Sequence, residues 1–174
     1  MKESKYLIWA SLIGIVLLFF DQLSKFWAQS SLPLVANSLY SYPYGGIGVF
    51  RDFLGIEFSL VHAINHGAAW GAFSDWQILI LAFRIILIFG LLFYVFKWNT
   101  RSNWSFPLLL IIAGAVGNVL DYFLYGHVID MLHFVLWGYD YPVFNFSDMG
   151  IFIGISWLMI DSYFDKNQLQ TPFS

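Results

Sequence analysis

The chain has 174 residues, of which 59% are hydrophobic, 21% aromatic and only 11% charged, and its net charge is -3. An apolar share well above the roughly half found in soluble domains marks a polytopic membrane protein, and the mild acidity gives no electrostatic footprint for nucleic acid. The absence of cysteine excludes disulfides, thiolate nucleophiles and Cys-ligated metals, so a nucleophile must act through oxygen or nitrogen.

Residues 6 to about 28 open with an apolar run and end in Asp21, Lys25 and Trp27. The stretch is long enough to cross a hydrocarbon core of about 30 Å. Lys2, Lys5 and the small-residue stretch Ala28-Gln29-Ser30 would also suit a cleaved signal peptide, but Asp21 and Lys25 follow the apolar run too closely. A first transmembrane helix is therefore expected. Residues 31–76 contain six Gly, two Pro and short apolar clusters, which predicts a small extramembrane cap of strands and turns. Residues 77–98, 106–125 and 149–164 supply three further apolar segments of spanning or nearly spanning length.

The expected fold class is an all-α membrane protein: four transmembrane helices in a single domain over residues 1–174, with a β-rich extracytoplasmic cap between helices one and two. Lys2, Lys5, Lys97 and Arg101 flank the spans on one side, whereas residues 126–145 contain no Lys or Arg. That asymmetry predicts cytoplasmic termini and places the last loop outside.

Residues 114–148, reading GAVGNVLDYFLYGHVIDMLHFVLWGYDYPVFNFSD, gather Asp121, Asp130, Asp140 and Asp148 in apolar surroundings. Ionisable groups in or at a bilayer are costly and by default mark a functional site facing a bundle interior or a wet cavity. With the predicted topology, Asp130 follows the end of helix three and Asp148 opens helix four, so both stand at the same membrane face. A close pair of carboxylates cannot comfortably ionise together, which leaves one protonated and one anionic. Such a pair can hydrolyse a peptide bond: the anion deprotonates water while the acid polarises the carbonyl. Asp148 has a structural reading as well, since Asn145 three residues earlier suits a helix cap. Spacing alone also permits a proton-coupled transporter or channel subunit, with Asp21, Arg84, Asp121 and Asp130 as a relay.

The blocks GAVGNVLDYFLYGHVID and FNFSD resemble the Gly-Asn-x-x-Asp-Arg, Gly-x-Val-x-Asp and Phe-Asn-x-Ala-Asp motifs of bacterial lipoprotein signal peptidases, the aspartyl type called signal peptidase II. Asp21-Gln-Leu-Ser-Lys25 resembles that family's Asp-x-x-x-Lys, and Asn65-His-Gly-Ala-Ala-Trp-Gly71 its Asn-x-Gly-x-Ala-Phe-Gly element. Each block is short, and their shared order over residues 6–164 carries the weight. The resemblance implies a catalytic dyad of Asp130 and Asp148. It implies support from Asn65, Asn118 and Asn145, with Asp21, Lys25, Asp121 and Gly114 around them. The implied substrate is a prolipoprotein whose cysteine carries diacylglycerol, cut just before that cysteine by a monomer among membrane lipids of the inner membrane. No metal or cofactor is implied.

Three positions depart from the family pattern: Trp70 for Phe, Ser147 for Ala, and Tyr122 for Arg. The last removes a cation beside Asp121. Arg84 is the cation within a predicted span away from its ends, so it is expected to meet an acid, Asp121 first and Asp21 or Asp130 next. Lys25 has a simpler reading: it can pair with Asp21 four residues earlier or snorkel to the interface. His62 with His66, and Asp130 with His133, have spacings that would suit a metal on a helix, but no complete ligand motif is present.

Overall fold

Apolar segments in lipid must satisfy their own backbone, and a helix does so within one segment. The computed structural model describes residues 2–35, 41–66 and 76–169. Among these, four helices form: α1 (Lys2–Ser31), α2 (Gln77–Phe93, continued by a π-helical turn over Tyr94–Trp98), α3 (Ser102–Tyr125) and α4 (Phe146–Leu169). Three stretches, Lys5–Ser31, Gln77–Trp98 and Asn103–Tyr125, are long and apolar enough to cross a membrane. The 24 residues of α4 span about 36 Å, but Ser147 and Asp148 at its start and Asp161 and Asp165 near its end shorten its apolar middle. Three spans rather than four therefore stand on length and composition.

The central helix is α3, which packs against α1, α2 and α4 and buries an unbroken run from Leu108 to Ile112. Its contact with α4 is close because Gly114 has no side chain. A Cβ there would run into the Ser147 carbonyl and lie 2.8 Å from Ile151, the small-residue solution to helix packing in lipid. Gly126 then stops α3 sharply: its left-handed φ of 79° lets its N–H donate to the Tyr122 carbonyl at 2.9 Å.

The sheet that follows corrects the all-α expectation to a mixed helix and sheet architecture. Its four antiparallel strands are β1 (Ile47–Phe53), β2 (Ile56–Asn65), β3 (Val128–Leu136) and β4 (Tyr139–Asp140), in that spatial order. Half of it thus comes from the segment after α3, not from the one between α1 and α2. The underside packs on the end of α1, where Ala28 and Leu32 meet Ile129, Met131, Leu132 and Phe134. Between Leu60↔Leu132 and Ala63↔Asp130 the pairing gains one residue in β2. Such a bulge twists a strand and re-aims its side chains, and here it immediately precedes the strand ends that carry Asn65 and Asp130.

Candidate active site

Five elements bring their polar residues to one end of the helices. From α1, Asp21, Gln22 and Lys25 lie on neighbouring turns of one face. The ammonium of Lys25 is fully buried and donates to Asp21 and Asp121, each at 2.7 Å, and to the Asn118 carbonyl oxygen at 3.1 Å. Its three donors thus meet three acceptors. This corrects two expectations: Lys25 does not snorkel, and Asp121 is held by Lys25 rather than by Arg84. Each of the two acids accepts two further bonds. Gln22 donates to Asp121 at 2.9 Å and to Asp21 at 3.2 Å, the Ser147 N–H donates to Asp21 at 2.8 Å, and the Ile129 N–H reaches Asp121 at 3.4 Å.

Asn118 carries the network from Lys25 toward α4. Its amide nitrogen donates to Asp148 at 2.8 Å, while its oxygen accepts from both Lys25 and Asn145. Asn145 and Asp148 cap the helix reciprocally: the Asp148 N–H donates to the Asn145 side chain at 2.9 Å, and the Asn145 N–H to the Asp148 carboxylate at 3.3 Å. This capping box satisfies exposed donors at the positive end of α4. The structural role read for Asp148 is therefore present together with its place in the polar cluster.

Asp130 completes the cluster from β3. It accepts from Asn145 at 2.6 Å and from Asn65, on β2, at 3.0 Å. Asn145 thus stands between the two carboxylates, bonded to Asp130 by its side chain and to Asp148 by its backbone. Burial, then the negative charge of Asp148, pushes the Asp130 carboxyl up to about 7 despite the amides of Asn65 and Asn145. A carboxyl with such a value can hold a proton at neutral pH and release it in use.

Of the nine positions singled out from the sequence, eight enter this hydrogen-bonded cluster: Asp21, Lys25, Asn65, Asn118, Asp121, Asp130, Asn145 and Asp148. Gly114 does not, and its place is the α3–α4 contact. Gln22 was missed, although it adjoins Asp21 and precedes Lys25 by three, the spacing that puts it on the same helix face. Gly117 was missed too: a Cβ there would collide with the Ser147 hydroxyl and come within 2.7 Å of Asp21. The remaining block residues 67–71, Trp70 among them, lie outside the described residues. Asp130 and His133, three apart on β3, bond different partners. His133 bonds Asp140 at 2.7 Å instead. Arg84 is half-buried and shares a narrow cleft with Asn65, Tyr122 and His127.

Comparison with known proteins gives this arrangement a context. The family model described as Signal peptidase (SPase) II matches residues 13–164. The lipoprotein signal peptidase of Chlamydia felis is 34% identical over 142 residues, covering 80% of this chain and 81% of the relative. That of Xanthomonas euvesicatoria is 32% identical over 171 residues, covering 95% and 91%. A bacterial membrane enzyme solved by the in meso method at 2.3 Å resolution superposes with a TM-score of 0.76 at 26% identity, covering 95% of this chain and 94% of that one.

Proposed function

Because the chain belongs to the Signal peptidase (SPase) II family, and so is a protease of lipoprotein processing in a bacterial membrane, we propose that Asp130 and Asp148 are its catalytic pair. The observation that carries this reading is Asn145, which ties a buried and a half-buried carboxylate from separate elements into one site beside the ends of apolar helices. The transporter alternative finds no support in the relatives. Asp148, at the positive end of α4, is the anionic member, and Asp130 holds the proton.

The proposed reaction starts when Asp148 removes a proton from water as the water oxygen bonds to the scissile carbonyl carbon. Asp130 gives its proton to the carbonyl oxygen, forming a neutral tetrahedral gem-diol. Asp148 then passes its proton to the amide nitrogen, the C–N bond breaks, and Asp130 recovers a proton from the gem-diol as the new carboxyl forms. Lys25, Asn118 and Asn65 hold the two carboxylates in place. Gly114 assists only by letting α4 approach α3.

The substrate in this reading is a prolipoprotein signal peptide whose cysteine carries diacylglycerol, cleaved just before that cysteine. The whole chain acts as one monomeric peptidase domain in the inner membrane, surrounded by lipid, with α4 crossing as a fourth span. The basic residues flanking α2 and α3 support cytoplasmic termini and a site near the outer face. A reporter fused after Ser174 should be active only in the cytoplasm, and activity solely outside would overturn this orientation.

The direct test is purified protein with a diacylglyceryl-modified precursor and no ion gradient. Product should form, and Asp130→Asn or Asp148→Asn should lower the rate at least about 10³-fold with insertion unchanged. Near-normal cleavage by Asp148→Asn would leave only its capping role. Activity should also decline as pH rises through about 7, when Asp130 ionises and no acid remains. The effect on stability has the same sign. A carboxyl raised from 3.8 in the unfolded chain contributes fully below pH 4 and loses that contribution as pH climbs to about 7. Asp130→Asn should flatten the profile of melting temperature against pH.

A further inference from the structure

Four carboxylates are enclosed at the site, those of Asp21, Asp121, Asp130 and Asp148, and Lys25 is the single fully buried cation among the described residues. Lys25 cannot serve all of them. Its donors go to Asp21, Asp121 and the Asn118 oxygen, so it reaches Asp148 only through the Asn118 amide and does not bond Asp130. With one proton shared by the dyad, three carboxylates are ionised against one ammonium. Excess negative charge of this kind is costly once water is removed, and it favours uptake of a second proton that would leave the dyad without a base.

A second cation lines a cleft next to the site. Arg84 sits seven residues into α2, about 10 Å along its axis, and an arginine at that depth in an apolar helix is costly unless it faces acids or a cavity. It lines the cleft with Asn65, Tyr122, Gly126 and His127, and Asn65 is the residue that donates to Asp130. Arg84 therefore shares its cleft with a residue that bonds the dyad. The charges of Asp148, Asp130 and Asp121 all act on it. His127 on the cleft's other wall does not duplicate its charge: burial, aided by His66 and His62, holds it below its usual range.

We infer that Arg84 is a positioning residue for the dyad, a permanent positive charge that faces Asp130 and Asp148 across the Asn65 cleft and keeps one of them ionised when substrate excludes water. The inference rests on the reading of those two residues as the catalytic pair. Arginine suits the task because it does not lose its proton in a dry site, as lysine can. The other charged or titratable groups around the dyad are Asp21 and Lys25 from α1 and Asp121 from α3, with His62 on β2 and, at the cleft, His66 just after β2 and His127 just after α3. All of these remain in place when Arg84 is changed.

The test is the pH profile of kcat/KM for cleavage of a synthetic diacylglyceryl precursor peptide in lipid. Removing a cation raises the pKa of a nearby carboxylate, so Arg84→Gln should move the acid limb up by about one pH unit. It should lower kcat roughly tenfold at neutral pH with a smaller change in KM. Arg84→Lys should recover most of both. In the otherwise native chain, Tyr122→Arg adds a second cation to the same cleft and should move the acid limb down, a result that does not depend on Arg84→Gln folding. An acid limb unmoved by Tyr122→Arg, or a slower Arg84→Gln enzyme with an unchanged profile, would overturn the inference and leave Arg84 with a packing role. Asp148→Asn run in parallel separates the two readings: an active Asp148→Asn removes the dyad itself, whereas an inactive one with immobile profiles removes Arg84 alone.

Discussion

Ion pairs of the same length sit at opposite ends of α3. Near its C-terminal end Lys25 meets Asp21 and Asp121 at 2.7 Å with all three side chains 0% exposed. Before its N-terminal end Arg101 meets Asp165, also at 2.7 Å, but with 47% and 43% of the side chains exposed. Distance does not distinguish them; surroundings do. Water screens the second pair and can replace either partner, so it contributes about 0–1 kcal/mol. In the first, all three ammonium donors and both oxygens of each acid are committed to the protein, and removing one strands the others in a low dielectric.

The contrast is broken most directly at Lys25. Lys25→Met should cost about 3–5 kcal/mol because it leaves two buried carboxylates without their cation, read as a fall in melting temperature in detergent. A variant that melts with the parent would refute the assignment of the network as an interdependent unit. Replacing all three residues by apolar ones should regain stability relative to Lys25→Met, without restoring cleavage.

A smaller effect is expected where the network is pressed by its neighbours. Gly117→Ala inserts a methyl against Asp21 and Ser147 and should cost about 1–3 kcal/mol. Ser147→Ala in the same chain should return part of that loss, because the buried Ser147 hydroxyl has no hydrogen-bond partner among the described residues. Failure of the second change to help would locate the strain at Asp21 alone. Smallest of all, Arg101→Ala should alter unfolding by no more than about 1 kcal/mol. Its stacking on Trp104, with the guanidinium 4.9 Å from the ring centroid, adds little at an exposed position. A loss comparable with that of Lys25→Met would end the comparison.

The same division explains what could be read from the sequence. Helices α1, α2 and α3 follow from long apolar runs, and the reciprocal cap of Asn145 and Asp148 follows from their spacing of three. Strand β3 does not. It is buried from Val128 through His133 on both faces, so it lacks the alternation that marks a half-exposed strand. Residues 126–145 consequently read as a loop, which produced the all-α expectation. Lys25 was legible only as a neighbour of Asp21, since Asn118 and Asp121 approach it from 93 and 96 positions away. Arg84 was matched to Asp121 by depth along the helices, and depth gives no rotation about the axis. Composition and motif order located the acids, whereas the partner of each acid depended on tertiary contacts.

The short spacing of Asp21 and Lys25 has a consequence for how the protein is made. A lone charge delivered to the middle of a bilayer costs about 2.5–3.5 kcal/mol on the scale of insertion experiments. α1 emerges long before Asn118, Asp121 or Ser147 has been synthesised, and at that stage none of these later partners exists. Four residues apart on one helix, Asp21 and Lys25 neutralise each other within the segment that carries them. The first helix can therefore enter the membrane as an electrically balanced unit and wait. Asp121 arrives on α3 to share a cation already in place, and Asp148, carried by the last helix, arrives after every other member of the site. The order of synthesis thus completes the polar cluster only once the start of α4 has been made.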